Sequence, residues 1–415
     1  MEAADGPMSE TLKPETAEQV LDAVKWAAAE ETPLAVNGRG SKEAFGRAVE
    51  ADHTLDLSEL SGIACYEPNE LFMTAGAATT LAEIEAALRQ NNQQMAFEPA
   101  DLGVLLGGEG EAGTIGGAIA CNLAGPRRIK AGAARDHFLG FNAVSGRGET
   151  FKSGGTVVKN VTGFDLSKLI AGSFGTLAVM TDVTFKVLPA PEKTRTVLVL
   201  GLSDQAAMKA MAKALGSSHE VSGAAHLPEA AAKASKVSYV AGAGRAVTAI
   251  RVEGPGPSVE HRCKALTALL GDSASVEELH SANSALLWRE IRDVALIDVD
   301  GGGRQVWRLS VPPMNGAGVA QKLTAGTGAS VFYDWGGGLI WLAMDATPDA
   351  GHETVRRAVG AAGGHATLVR AGADVRNRVP VFEPQTGALG ELTARIKEGF
   401  DPKGILNPGR MVEGV

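Results

Sequence analysis

Apolar and polar positions along the first half of the chain change period again and again. Val20, Val24 and Ala27 fall on one helical face behind a Thr16/Gln19 capping-box signature. PLAV reads as a short strand that runs into NGRGSKEAFG. A strand around 71–77 precedes a second capping box, Thr80/Glu83, and a helix whose apolar stripe is Leu81, Ile84 and Leu88. The strand–loop–helix alternation continues to TDVTFKVLP, which ends near residue 189.

PAPEKTRT, residues 189–196, is Pro-rich, charged and aperiodic, and reads as a linker. Beyond it TVLVLGL predicts a strand, SDQAAMKAMAKALG a helix, AVTAIRVEG a strand and PSVEHRCKALTALLG a helix. QVWRLSV is a strand, and SVFYDWGGGLIWLAM a hairpin turning at Gly336–Gly338. HETVRRAVGAAGG predicts a helix, HATLVRA the last strand, and about 385–399 a final helix before FDPKGILNPGRM. The expected class is α+β, with a largely antiparallel sheet in the second half. No internal repeat and no low-complexity segment is present.

Composition narrows the class of protein. The chain has 415 residues, enough for two or three domains, and 45% of them are hydrophobic. Glycine is abundant at 52 residues and aromatics are scarce at 5%, which suits an enzyme with many tight loops. A net charge of −9 and a pI near 5.5 argue against general attraction to nucleic acid or anionic membrane. Cys65, Cys121 and Cys263 are the only cysteines and form no CxxC, so neither a disulfide framework nor a zinc site is indicated. MEAADGPMSE does not have the composition of a signal peptide, and no apolar run approaches the roughly 20 residues of a membrane helix. The expectation is a soluble cytoplasmic protein of a reducing compartment.

Two glycine loops could hold an anion. Asn37-Gly38-Arg39-Gly40-Ser41-Lys42 follows a strand, and its glycines allow successive N–H groups to converge, with Ser41, Arg39 and Lys42 as further donors. It matches neither the Walker A pattern nor GxGxxG, because Glu43 stands at the last position. It reads equally as a plain strand-connecting turn. GTIGGAIACNLAGP, residues 113–126, combines four glycines with three alanines and runs into Arg127, Arg128 and Lys130. Bare backbone of this kind serves either close ligand approach or tight packing of a loop on a helix. A third segment, 153–189, contains Lys159-Asn160, Gly163-Phe164-Asp165 and Gly172-Ser173-Phe174-Gly175-Thr176-Leu177 leading into a strand.

Together these segments resemble the vanillyl-alcohol-oxidase (PCMH-type) flavoproteins and, more narrowly, the FAD-binding E subunits of bacterial glycolate oxidases. The resemblance spans nearly the whole chain. It is carried by GTIGGAIACNLAGPRR, RDHFLGFNAVSGRGE, GGTVVKNVTGFD, AGSFGTLAVMTDVTFKVLP, YDWGGGLIWL and FDPKGILNPGRM. It implies a PCMH-type two-part FAD-binding domain at 14–189 after a tail at 1–13. An α/β cap would follow at 197–384, and a segment at 385–415 would return to the FAD domain. It also implies that Asn37, Gly38, Arg39, Gly40, Ser41 and Lys42 cradle the FAD pyrophosphate. Gly113, Thr114, Gly116, Gly117, Ala120 and Gly125 would pass along the cofactor. Gly172, Thr176, Leu177 and Val179 belong to the stretch that meets the adenine side, and Asn407, with Pro408 and Gly409, to the returning tail. Arg127 and Arg128 could offset cofactor charge, bind a partner subunit or form a solvated surface cluster.

The departures from the family shape the rest. No histidine stands in the first loop for a covalent flavin link, so FAD is expected to be non-covalent. Related 2-hydroxyacid dehydrogenases carry an HxGDGN-type metal motif in the cap. The eight histidines here never fall at ligand spacing, and no metal is expected. The proton acceptor is therefore unassigned. Lys159, Asn160 and Tyr333 are polar candidates, each read first as structural and only second as catalytic. The resemblance implies oxidation of glycolate to glyoxylate in a complex with a catalytic FAD subunit and an iron–sulfur subunit. Three cysteines are too few for a cluster in this chain. A non-catalytic or electron-relay subunit, and a stand-alone 2-hydroxyacid dehydrogenase, are the alternatives.

Overall fold

The computed structural model describes residues 10–156, 163–271, 275–297, 299 and 303–414. The first half contains a parallel three-stranded sheet in which His53–Asp56 lies between Glu10–Leu12 and Leu34–Asn37. Beside it an antiparallel five-stranded sheet runs in the order Ile63–Glu67, Phe72–Gly76, Ala178–Lys186, Phe138–Ser145, Glu149–Gly154. The two predicted helices form as Ala17–Glu30 and Leu81–Gln90, and each buries the three residues of its expected stripe. Thr16 and Thr80 cap them by accepting from the N–H of Gln19 and Glu83. The first box closes differently from the standard motif, because Gln19 Oε1 accepts from Glu15 N–H (2.6 Å).

The second half is built on one antiparallel sheet of eight strands. Its order is Ser275–His280, Lys193–Leu200, Val247–Gly254, Gly223–Leu227, Ser330–Asp334, Leu339–Met344, Gln305–Ser310, His365–Arg370. The linker read at 189–196 is shorter than expected. Leu188–Pro189 pairs with Gln93–Gln94, and Lys193 already begins a sheet strand. The charges of KTRT misled the reading, since Lys193 and Arg195 face Glu260 and Glu278 on neighbouring elements.

Strand alternation divides this sheet into two faces with different partners. Val197, Ile250, Trp307, Tyr333, Ile340 and Leu368 pack under the helices Asp204–Leu215, Gly256–Leu270, Gly316–Thr324 and His352–Gly360. Leu198, Phe332, Leu339, Trp341 and Val369 face the other way. They share a core with the helix Ser281–Arg292 and with Phe45, Leu102 and Phe174 of the first half. One face of the second half thus closes over loops of the first.

The chain end returns to the first half. After the helix Ala388–Phe400, Leu406 bridges Leu34 in parallel, and Ile405 and Leu406 enter the core beneath Val20 and Val24. Lys397 is buried at the join. It donates to Thr176 O (2.8 Å) and Leu406 O (3.0 Å) and pairs with Asp401 (2.6 Å).

Candidate active site

A cleft of about 110 Å³ opens where the first loop meets the glycine stretch and the chain end. The loop leaves the strand Leu34–Asn37, and among the described residues the N–H groups of Gly38, Arg39, Gly40, Ser41 and Lys42 donate to no protein acceptor. Five successive amides without a protein acceptor, in a stretch that lines a cleft, make an anion-binding concavity. Lys42 Nζ donates to Ser41 Oγ (3.1 Å), and burial holds its ammonium below the ordinary lysine value. Arg410 reaches over from the chain end and donates from Nη2 to Lys42 O (2.7 Å), leaving its buried Nε without an acceptor.

The glycine stretch works differently. Ile115 N–H donates to Thr79 O (3.0 Å), Gly116 N–H to Ala77 O (2.9 Å) and Gly117 N–H to Thr114 Oγ1 (3.2 Å). These amides are already used, so this stretch offers surface and not donors. A Cβ on Gly116 would stand 2.7 Å from Ala77 O, so Gly116 permits helix-on-strand packing and does not make space for a ligand. Asn407 ties the wall together. Its Oδ1 accepts from Val36 N–H (2.8 Å) and its Nδ2 donates to Phe174 O (2.9 Å).

Asn37, Gly38, Arg39, Gly40, Ser41, Lys42, Thr114, Gly116, Gly117, Ala120, Val179 and Asn407 line this cleft together. Gly113, Gly172, Thr176 and Leu177 do not. Gly113 packs on Leu81, Thr176 Oγ1 donates to Ser173 O (2.7 Å), and Leu177 lies in the core. Gly172 bonds Ile119 O (3.1 Å), which sets the turn that presents Phe174 and Gly175 to the cleft. Sequence reasoning passed over those two residues and Arg410. The glycine at 175 was the signal in the sequence, and in the structure it takes φ +71°.

A second cavity, of about 50 Å³, lies beside the first, and Cys121 lines both. Its floor is Cys121–Gly125, the end of the glycine stretch, and its roof is the inner face of the eight-stranded sheet, with Arg308, Asp334, Leu339, Trp341 and Val369. Gly125 belongs here and not in the first cleft. Tyr333 does not enter either space. It sits one residue from Asp334, so alternation turns it to the helix-covered face, where it is fully buried and its hydroxyl donates to Asp204. Lys159 and Asn160 lie outside the described residues.

Charge is distributed unevenly around this second cavity. Arg251 forms a bidentate pair with Glu98 (2.9 and 3.0 Å), Arg127 one with Glu253 (2.9 and 2.9 Å), and Arg251 stacks on Trp288. Burial alone would push Glu253 up, but Arg251 and Arg127 hold it well below the usual carboxylate range. Arg127 is therefore part of a buried network joining the two halves. Arg128 stacks over Trp335, whose indole N–H donates to Gly125 O (3.1 Å). Burial also pushes the Asp334 carboxyl up to about 7 and the Arg308 guanidinium down to about 10.

Residues 9–154 match the family model described as FAD binding domain. Glycolate oxidase subunit GlcE of Escherichia coli (strain K12) is 35% identical over 395 residues, covering 94% of this chain and 96% of that protein. The chain belongs to the glycolate oxidase E-subunit family. As a member of that family it is an FAD-linked oxidoreductase. Glycolate oxidase subunit GlcD of Bacillus subtilis (strain 168) is 31% identical over 189 residues, 44% of this E-subunit chain and 40% of GlcD. Among solved structures, p-cresol methylhydroxylase with substrate bound superposes with a TM-score of 0.71 at 15% identity, over 97% of this chain and 88% of that one. The E-subunit chain therefore has the PCMH-type fold. No helix among its described residues is long and apolar enough to cross a membrane.

Proposed function

We propose that this chain is the FAD-binding subunit of a glycolate oxidase, acting in the oxidation of glycolate to glyoxylate with a second FAD-containing subunit and an iron–sulfur subunit. FAD is held without a covalent bond. The residues of the cleft fit the cofactor. The five unpaired amides of Gly38–Lys42 and the Ser41 hydroxyl would hold the pyrophosphate, and Lys42 and Arg39 would offset its charge. Thr114, Gly117 and Ala120 would hold the cofactor on one side, and Phe174, Val179, Asn407 and Arg410 would hold it on the other. When bound, FAD supplies the oxidant that takes a hydride from the carbinol carbon. In this reading residues 14–189 and 385–415 are the cofactor-binding part, and 197–384 are the cap.

The row of unpaired amides is the observation that carries this reading. It is tested by purifying the chain and measuring flavin per protein before and after acid precipitation. The expected result is about one FAD per chain, released quantitatively into the supernatant. Flavin that stays with the precipitate contradicts the non-covalent assignment, and a chain that takes up no FAD contradicts the cleft.

A further inference from the structure

The cavity beside the cleft contains an unused pair of opposite charges. Four ionisable residues line it among those described: Cys121, Arg292, Arg308 and Asp334. Arg292 is occupied, because its Nε and Nη2 donate to Asp293 (2.8 and 2.9 Å) and its Nη1 faces Glu85 (3.4 Å). Arg308 has neither a hydrogen bond nor an ion pair among the described residues, only the face of Trp335 at 5.0 Å. Asp334 is 2% exposed, and its Oδ1 accepts from Trp335 N–H (2.7 Å). Its Oδ2 has no partner among the described residues. Both groups project from the same face of the sheet, because Asp334 stands opposite Leu339 and Arg308 opposite Trp341 on the strand between them. A half-buried guanidinium with open donors and a buried carboxylate with an open acceptor both call for a group that completes them.

We propose that Arg308 binds the carboxylate of a small 2-hydroxyacid in this cavity and that Asp334 accepts the proton of its hydroxyl group. The proposal rests on the FAD assignment for its oxidant. As the substrate is oxidised its O–H bond breaks and the proton passes to Asp334. Its C–H bond breaks with the electron pair leaving as hydride to oxidised FAD, and the C–O bond becomes C=O. The roles follow from chemistry. A planar guanidinium with free N–H groups matches a carboxylate, and a carboxylate kept short of hydrogen bonds is a base. The cavity's apolar walls, Leu339 and Trp341 among them, keep that exchange out of water. The site belongs to this chain alone, and it places substrate chemistry in the E subunit and not solely in its partner.

Protonation of Asp334 is governed first by burial, which favours the neutral acid, then by the Trp335 N–H and by Arg251, Glu98 and Arg308, with Arg128 acting in turn on Arg308. The base must be ionised, so turnover rises with pH as Asp334 loses its proton.

Oxalate, a small dicarboxylate with no oxidisable hydrogen, is the probe. Calorimetric titration of the flavin-loaded chain is expected to show one binding event. Arg308→Met should weaken it roughly tenfold or more, and Arg308→Lys should restore part of the loss. Flavin content should stay unchanged in both. Asp334→Asn keeps an oxygen for the Trp335 N–H. It should retain oxalate binding, yet slow anaerobic bleaching of the flavin by glycolate and remove its rise with pH. Tyr333→Phe, on the opposite face of the strand, should alter none of these. Absence of oxalate binding by the wild-type chain overturns the proposal, as does wild-type affinity in Arg308→Met or an unchanged pH profile in Asp334→Asn. Because calorimetry also reads the flavin-free chain, a failure of FAD binding is seen separately from a failure of this cavity.

Discussion

The cleft and the cavity share Cys121 yet are built on opposite principles. The cleft is made by main chain: five unpaired amides, a helix start capped by Thr114, and Asn407 stitching three segments together. The cavity is made by side chains projecting from a rigid sheet, Arg308 and Asp334 above all. The difference suits the tasks. A pyrophosphate is a diffuse, permanent anion that many weak donors can surround. A small acid that must be oriented and deprotonated needs one fixed cation and one fixed base.

The contrast can be broken most severely from the backbone side. Gly116→Val should destabilise the chain by about 3 kcal/mol, because its Cβ would stand 2.7 Å from the Ala77 carbonyl and both strand and helix would have to shift. Denaturant unfolding of the apo chain measures this. A variant that unfolds like wild type but loses flavin would show that Gly116 makes ligand space after all.

Charge in the cavity gives an effect of opposite sign. The folded-state pKa of Asp334 is pushed up to about 7 by burial, above its unfolded value, so the native state binds the extra proton between the two. Asp334 therefore lowers stability progressively as pH rises through that window. Asp334→Asn should raise stability at pH 8 by on the order of 2 kcal/mol and leave it nearly unchanged at pH 4, a trade of stability against function. Equal effects at the two pH values would mean that Asp334 is not a buried, uncompensated acid.

The smallest effect is expected where side chains only assist the backbone. Arg39→Ala combined with Lys42→Ala should cost about 1–2 kcal/mol of FAD binding, measured by equilibrium titration of the apo chain, since the amides remain. Complete loss of binding would transfer the main role from the amides to the two cations.

The same contrast explains what could be read in advance. Helical stripes and caps such as Thr80 with Leu81, Ile84 and Leu88 are local and periodic, and they fold as the sequence suggests. The glycine loop at 37–42 is legible for the same reason, since a stretch whose function lies in its backbone must show it in composition. Gly113 and Leu177 were carried with their motifs although they support the cleft from behind, a distinction that depends on which way each residue faces. The cavity was not legible. Arg308 and Asp334 are 26 residues apart and meet only because their strands flank a third. Two local hints existed: a lone arginine within the apolar run of QVWRLSV, and an acid at the hairpin end of SVFYD. Tyr333, a candidate from the sequence, and Asp334 differ by one residue, which in a strand is a difference of face.

The most direct test of the whole account is the visible spectrum of the flavin-loaded chain during oxalate titration, in wild type and in Arg308→Met. If the cavity receives substrate beside the bound flavin, oxalate will perturb the wild-type flavin bands with the affinity seen by calorimetry. The same concentrations will leave the equally flavin-loaded variant unmoved. A wild-type spectrum that does not change at saturating oxalate would contradict it and would place substrate oxidation in another subunit.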